Sequence, residues 1–334
     1  MPATPGTPPT GLSPGPNGDA NRIAVCIIAL AFTAWLAWYY RFSPANSIAY
    51  VFHVAIAVPI IGLADTRWRH WVQVRFPASW RGGALIWFTL MVLIVATATP
   101  AQRGSATFLS LWAVYLAIPV AVFTIRSSGI RLVLATAAMV LPVGMLPMVR
   151  LAAPGRDTFS FGVLVLVDLG LMLLLLYRPD GRVVYSLWLS KWDAITATTA
   201  FLAYAAVALP LGLLLGFMRP GLGEPSIGAA VARLVELFFF VAVPEELVSR
   251  GLLQNGLERM LGRVGGLAAA AVIFGVAHIG HAPAPNWRYV LLATGAGAVY
   301  GTVFQRTRSI TASAVTHALV DWTWFIFFAG LIPR

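Results

Sequence analysis

The chain has one cysteine, Cys26, and one lysine, Lys191, in 334 residues, and only 10% of its residues are charged. A lone cysteine excludes an internal disulfide framework. Soluble domains carry roughly 25% charged residues. The shortage here, with 59% hydrophobic residues and a mean hydropathy of +0.81, excludes an ordinary soluble domain and predicts an integral membrane protein. The His-Glu-x-x-His helix of zinc peptidases is also missing.

What is present is a series of apolar runs of the ~20-residue length that crosses a hydrocarbon core. They lie near 22–40, 47–64, 84–99, 106–125, 132–149, 160–177, 195–217, 228–249, 265–282, 289–304 and 310–330. The expected fold is an all-α polytopic membrane protein, a bundle of about ten or eleven transmembrane helices, with room for one or two re-entrant or interfacial segments.

The formal charge of +11 at first suggests nucleic acid. The basic residues, however, fall between the apolar runs. On alternate sides of eleven crossings, fifteen share the side of Arg22 and seven the other, with Arg233 inside a run. That asymmetry predicts a lipid bilayer as partner, no nucleic acid, and a cytoplasmic N-terminus, in what is expected to be a bacterial inner membrane. Tryptophan interleaved with Arg or Lys at 65–83 and 178–194 reads as interfacial anchoring.

Residues 1–21 hold six prolines and little apolar bulk, so they are expected to be a disordered tail, and their order of features is not that of a signal peptide. Residues 22–194 are read as an N-terminal scaffold of transmembrane helices. Residues 195–334 are read as a C-terminal core, because nearly all intramembrane Glu, His and Asp lie there.

An ionisable group inside a membrane costs at least ~2.5–3.5 kcal/mol, so each one points to a partner or a function. Arg233 and Glu236, three apart, can pair on one helix face. Asp168 has no local partner; pairing with another helix, a part in transport and a protonated acid all fit it. Glu245 and Glu246 in "VPEELVSRG" point about 100° apart. Glu246 and Arg250 stand four apart in the favourable acid-first order, which predicts an intrahelical pair. Glu245 then lacks a cation in its own helix, and Pro244 opens or bends the turn before it. A carboxylate without a cation in a low dielectric is the kind of group that serves as a general base near neutral pH. The run "AAAAVIFGVAHIGHAP" adds Phe274, His278 and His281, and "ITASAVTHALVDWTWFIFF" adds His317 and Asp321 on one face. Three helices thus bring the group types that activate water.

In that order, "EELVSR" (245–250), "FGVAH" (274–278) and "HALVD" (317–321) resemble the CPBP family of intramembrane proteases, which includes the type II CAAX prenyl endopeptidases and the bacterial Abi proteins. "RGLLQNGLERMLGR" and "GAVYGTVFQRTRSITASAVTHA" also look like the family, and the resemblance covers roughly 228–328. It implies that Glu245 deprotonates the attacking water with His278 as partner, and that Glu246 and Arg250 are structural or orienting. It further implies that Phe274 packs the site, and that His317 and Asp321 occupy the oxyanion positions. Family members often have Asn where Asp321 stands. An ionised carboxylate repels an oxyanion, so Asp321 is expected to orient and polarise His317, with a protonated Asp321 as the other way to serve.

The resemblance implies a glutamate-type mechanism with no cofactor. Zinc is the less favoured reading, although His278, His317, Glu245 and Asp321 are acceptable ligand types and His278 with His281 could chelate from one helix face. The expected function is an intramembrane endopeptidase acting on a membrane-embedded protein or peptide, such as a CAAX-like or C-terminal sorting segment or a bacteriocin precursor. A transporter or proton relay would use the same groups but calls for inverted repeats, which the sequence lacks. A catalytically silent binding member is the third reading.

Overall fold

The computed structural model of the protein describes residues 18–39, 44, 47–124, 133, 161–173, 183–221, 226–281 and 283–328. Most of the proline-rich tail and almost all of the expected run at 132–149 lie outside them. The described chain is mostly helical, with no strand longer than an isolated bridge among the described residues, and is an all-α polytopic membrane protein.

The N-terminal part comprises α1 (Gly18–Tyr39), α2 (Ser47–Gly62), α3 (Thr66–Arg75), α4 (Trp80–Thr97), the single turn α5 (Pro100–Arg103), α6 (Ala106–Thr124) and α7 (Phe161–Met172). Asp65 caps α3 by accepting from the N–H groups of Arg67 and Trp68. The α3 axis swings 118° from α2. On α3, Trp68 and Trp71 stack at 4.9 Å and the Arg75 guanidinium lies 3.9 Å over Trp71. A short basic and aromatic helix turned off its neighbour has the composition of an interfacial segment, as expected for 65–83.

The C-terminal part comprises α8 (Lys191–Leu214), α9 (Ile227–Leu237), α10 (Val243–Glu246), α11 (Asn255–Val276), α12 (Trp287–Thr307) and α13 (Ile310–Phe327). Two π-type segments, Phe238–Ala242 and Leu247–Gln254, join α9, α10 and α11 into one helical run. Each loop-to-helix entrance has its cap. Ser190 and Asp193 form a capping box at α8, and Ser226, Asn286 and Ser309 accept from the first-turn N–H groups of α9, α12 and α13.

The sequence suggested a connection between runs at 228–249 and 265–282; the structure continues the helix through it and reverses direction at Gly262. There φ is 74° and ψ 174°, a conformation open to glycine. A Cβ on Gly266 would lie 2.8 Å from the Leu257 carbonyl carbon, whereas residues nine apart in a straight helix are separated by ~13 Å. The 50-residue helical stretch Ile227–Val276 is therefore two legs of a hairpin. Among the described residues, four helices are long and apolar enough to cross a membrane, five if α2 and α3 count as one, fewer than the eleven runs of the sequence. Helices α12 and α13 have spanning length, but Arg288, Gln305 and Arg306 on α12 and His317 and Asp321 on α13 lower their apolarity.

Both parts meet at one end of the bundle. Val184 pairs with Ser309 in a short parallel bridge, with Val184 N–H donating to the Arg308 carbonyl and Ile310 N–H to the Val184 carbonyl. Thr311 donates to the Ser186 carbonyl, and Tyr185 donates to the Ile60 carbonyl. Asn21 donates to the Ala64 carbonyl at 3.0 Å and accepts from Leu187 N–H at 2.9 Å. The start of α1, the end of α2, residues 184–188 and the start of α13 thus form one polar knot.

Helices in a bilayer gain little from the hydrophobic effect between themselves, so close packing and internal hydrogen bonds hold them. The α11–α12 contact is the tightest case. A Cβ on Gly275 would lie 2.7 Å from the Val290 carbonyl oxygen and 2.9 Å from Thr294 N, both backbone atoms that cannot swing away. Gly275→Ala is expected to cost about 1–3 kcal/mol by overpacking. Gly228→Ala, at a position with nothing within 4 Å, is expected to be neutral or slightly stabilising. Unfolding midpoints of the two purified variants in detergent check this.

Candidate active site

The polar residues of α10, α11 and α13 converge on one another. Glu246 and Arg250 are each fully buried and pair at 2.8 Å through Nε and Oε2, with Nη2 3.5 Å from Oε1. The expected i, i+4 pair therefore forms. Two more groups from α13 complete it: Ser313 Oγ lies 2.5 Å from Glu246 Oε2 and donates to it, and His317 Nδ1 donates to Glu246 Oε1 at 3.0 Å. The Arg250 guanidinium sits 5.0 Å from the Phe274 ring centroid and 5.9 Å from that of Tyr300, a cation against two aromatic faces.

Glu245 takes a different direction, as the 100° step requires. Its side chain is 37% exposed and its Oε2 lies 3.9 Å from His317 Nε2. The same nitrogen is 3.4 Å from Oδ2 of Asp321, one turn further along α13. His317 thus has an acid at Nδ1 and two at Nε2, and its ring is held flat against Tyr300, 4.6 Å between centroids and 18° from parallel. A proton has to lie between Nε2 and the oxygens facing it, because a bare nitrogen lone pair would repel them.

The local chain explains these directions. Pro244 has no N–H to give to the preceding turn. The helix widens before it, Val243 N–H reaching back to the Phe238 carbonyl, and again after Glu246. Wide turns of this kind often occur at functional sites because they rotate the following side chains.

His278 stands one residue past the C-cap of α11, Ala277. Its Nδ1 lies 2.8 Å from the Phe274 carbonyl, so Nδ1 carries the proton and Nε2 presents its lone pair. Phe274 packs between the two imidazoles, 4.9 Å from His278 and 5.8 Å from His317. His278 is close enough to Asp321 and His317 to interact electrostatically with both. Among the described residues no hydrogen bond or ion pair joins His278 to Glu245. His281 lies beyond the helix, its ring stacked on His278 at 5.6 Å, which is a stacking and not a chelating arrangement.

No three His, Cys, Asp or Glu side chains among the described residues are grouped to hold a metal ion, so the donor set does not fit a three-ligand zinc site. Arg233 and Glu236 pair at 2.8 Å on α9, apart from this cluster. Asp168 is fully buried on α7, and neither of its oxygens has a hydrogen-bond partner. Sequence reasoning missed Ser313, Tyr300 and Tyr289, whose ring packs 4.7 Å from His278. Ser313 stands four residues before His317, so the same i, i+4 spacing that linked His317 to Asp321 could have found it.

These features define a polytopic helical membrane protein with a carboxylate and imidazole site built by three helices. Residues 227–323, less than a third of the chain, match the family model of the type II CAAX prenyl endopeptidase Rce1-like proteins, and this segment is a domain of that family, in keeping with the CPBP resemblance. It is a family of CAAX-type intramembrane proteases. No curated protein and no solved structure matches the chain.

Removing one member of a buried ion pair leaves the other uncompensated, at a cost of about 3–5 kcal/mol. Arg250→Ala is expected to lower the unfolding free energy in detergent by that amount, and Ser313→Ala by less, about 1.5–3 kcal/mol for a charged hydrogen bond. The double change Glu246→Leu with Arg250→Met is expected to unfold later than Arg250→Ala alone, because no bare charge is left.

Proposed function

We propose that the protein is a glutamic-type intramembrane endopeptidase that hydrolyses a peptide bond of a membrane-associated polypeptide without a metal ion. The observation that supports this is the division of labour between adjacent glutamates. Glu246 is neutralised by Arg250, Ser313 and His317, whereas Glu245 is directed to the accessible side with no arginine bonded to it.

Glu245 takes a proton from water as the oxygen attacks the substrate carbonyl carbon. His278, with Nδ1 committed to the Phe274 carbonyl, presents Nε2 to the same water. The tetrahedral oxyanion is met by His317 N–H, which Glu246 and Asp321 hold in place from the two sides of the ring. Protonated Glu245 then gives its proton to the leaving amine nitrogen, the C–N bond breaks, and a carboxylic acid and an amine result. Asp321 works in this scheme by orienting His317. The bilayer supplies the second partner, a low-dielectric surrounding that excludes bulk water. The charge asymmetry of the loops supports a bacterial inner membrane with the N-terminus in the cytoplasm.

A transporter would use these groups as relay sites along a path. Asp168, the one other fully buried carboxylate among the described residues, stands without partners on α7 and is not joined to them.

Glu245→Gln and His278→Ala are each expected to lower cleavage by ~10²–10⁴-fold, the usual worth of a general base, with expression unchanged. Comparing peptide termini in membranes from wild type and variants reads this as accumulating precursors; unchanged processing in both variants removes the protease reading. Asp321→Asn is expected to keep activity within about tenfold, since one hydrogen bond to His317 is at stake. Activity of the purified protein should survive complete chelation, and its loss with recovery on zinc addition would overturn the metal-free scheme.

A further inference from the structure

We propose that the site is reached from the non-cytoplasmic face of the membrane, so that the polypeptide it cuts is an exported chain presented on that side. This rests on the endopeptidase reading above and adds to it the side from which substrate and water arrive.

The first observation is that the two ends of the bundle differ in charge, and contacts fix which residues share an end. The polar knot joins Asn21, Ala64, residues 184–188 and the start of α13, so Arg22, Arg67, Arg69 and Lys191 belong to that end. Arg308, next to the bridge, pairs at 2.9 Å with Glu258, which brings the Gly262 hairpin with Arg259 and Arg263 to the same end. At the opposite end, Gly221 pairs with Phe328 beside the start of α9, and the 277–286 connection lies between α11 and α12. The basic residues described there are Arg219 and Arg288, with Arg103 between α4 and α6. Lys and Arg collect on the cytoplasmic side, so the knotted end faces the cytoplasm. This assignment follows from contacts within the described core and does not depend on the total number of crossings.

The second observation is a gradient of access along the site. On α13, from the knotted end outward, Ser313 is 0% exposed, the His317 side chain 4% and the Asp321 side chain 22%. Past Asp321, the neighbours are His278, partly exposed, and His281, exposed on the 277–286 connection. Toward the knotted end the site is closed. Behind the buried Glu246–Arg250 pair, Gln254 donates to Glu258 at 2.8 Å and to the Gly301 carbonyl at 3.1 Å. Gln305 donates to the same Glu258 at 2.9 Å and Arg308 pairs with its other oxygen. Gln254, Glu258, Gln305 and Arg308, from the α9–α11 run and from α12 with its C-cap, thus seal the cytoplasmic end, and the open groups lie toward the other face. A prenylated C-terminus of a cytosolic protein is presented on the sealed side; an exported, membrane-anchored chain is presented on the open one.

The test uses full-length protein with Cys26→Ala in spheroplasts of a bacterial host, with single cysteines at His281→Cys, in the open connection, or Leu261→Cys, exposed at the hairpin beside Gly262. Neither position is in the catalytic scheme, and neither change alters the count of Lys and Arg. A membrane-impermeant maleimide is expected to label His281→Cys in intact spheroplasts and Leu261→Cys only after permeabilisation. The reverse pattern, or equal labelling of both in intact spheroplasts, overturns the proposal. Labelling needs no turnover, so its failure is separate from failure of the protease reading, which the Glu245→Gln comparison decides. In that comparison, precursors that accumulate are expected to be exported chains; accumulation of cytosolic chains alone would also overturn the sidedness.

Discussion

The pairing of Glu246 with Arg250 is the interaction on which the other features of the site depend. Both side chains are fully buried, and neither charge could stay there alone. The pair is not self-sufficient, because a carboxylate offers more lone pairs than one guanidinium edge can fill. Ser313 and His317 fill the remainder, which ties α13 to α10. His317 is in this way positioned by a residue that takes no direct part in the proposed chemistry. Glu245, one step along the chain, is left facing the open side.

Position in such a site has to come from packing that the bilayer does not drive. Lipid tails are as apolar as leucine, so α11 and α12 are held where Gly275 lets two backbones meet and where side chains such as Gln254 and Gln305 reach backbone carbonyls across helices. Tyr204 on α8 does the same toward the Leu292 carbonyl on α12, at 2.7 Å. The scaffold half is joined to the core by the polar knot at one end and by a shared apolar core, in which Phe32 and Trp35 of α1 pack on Phe240.

Much of the site was legible in the sequence because helix spacing is a strong constraint. A spacing of four from Glu246 to Arg250, and of four from His317 to Asp321, translates directly into the observed contacts. The helical membrane class was legible from composition. The hairpin at Gly262 was not, since "ERMLGRVGG" reads as a basic connection and gives no sign that helix continues on both sides of a single glycine. The partners from other helices were also hidden. Tyr300 looks like any aromatic residue on a helix, and only its stacking on His317 separates it from the rest.

Asp321 departs from the asparagine that the CPBP resemblance implies, and the contacts around His317 still form. An amide there would donate to an oxyanion; a carboxylate does not, and it adds a third acid around one imidazole. His317 absorbs that difference. With Glu246 at Nδ1 and Asp321 near Nε2, the ring is held from both ends, and in the proposed reaction its own N–H is what faces the developing charge. The same arrangement places Asp321 and Glu245 on the one nitrogen, at 3.4 and 3.9 Å. In the proposed reaction, proton transfer at Glu245 therefore changes the field at His317 directly.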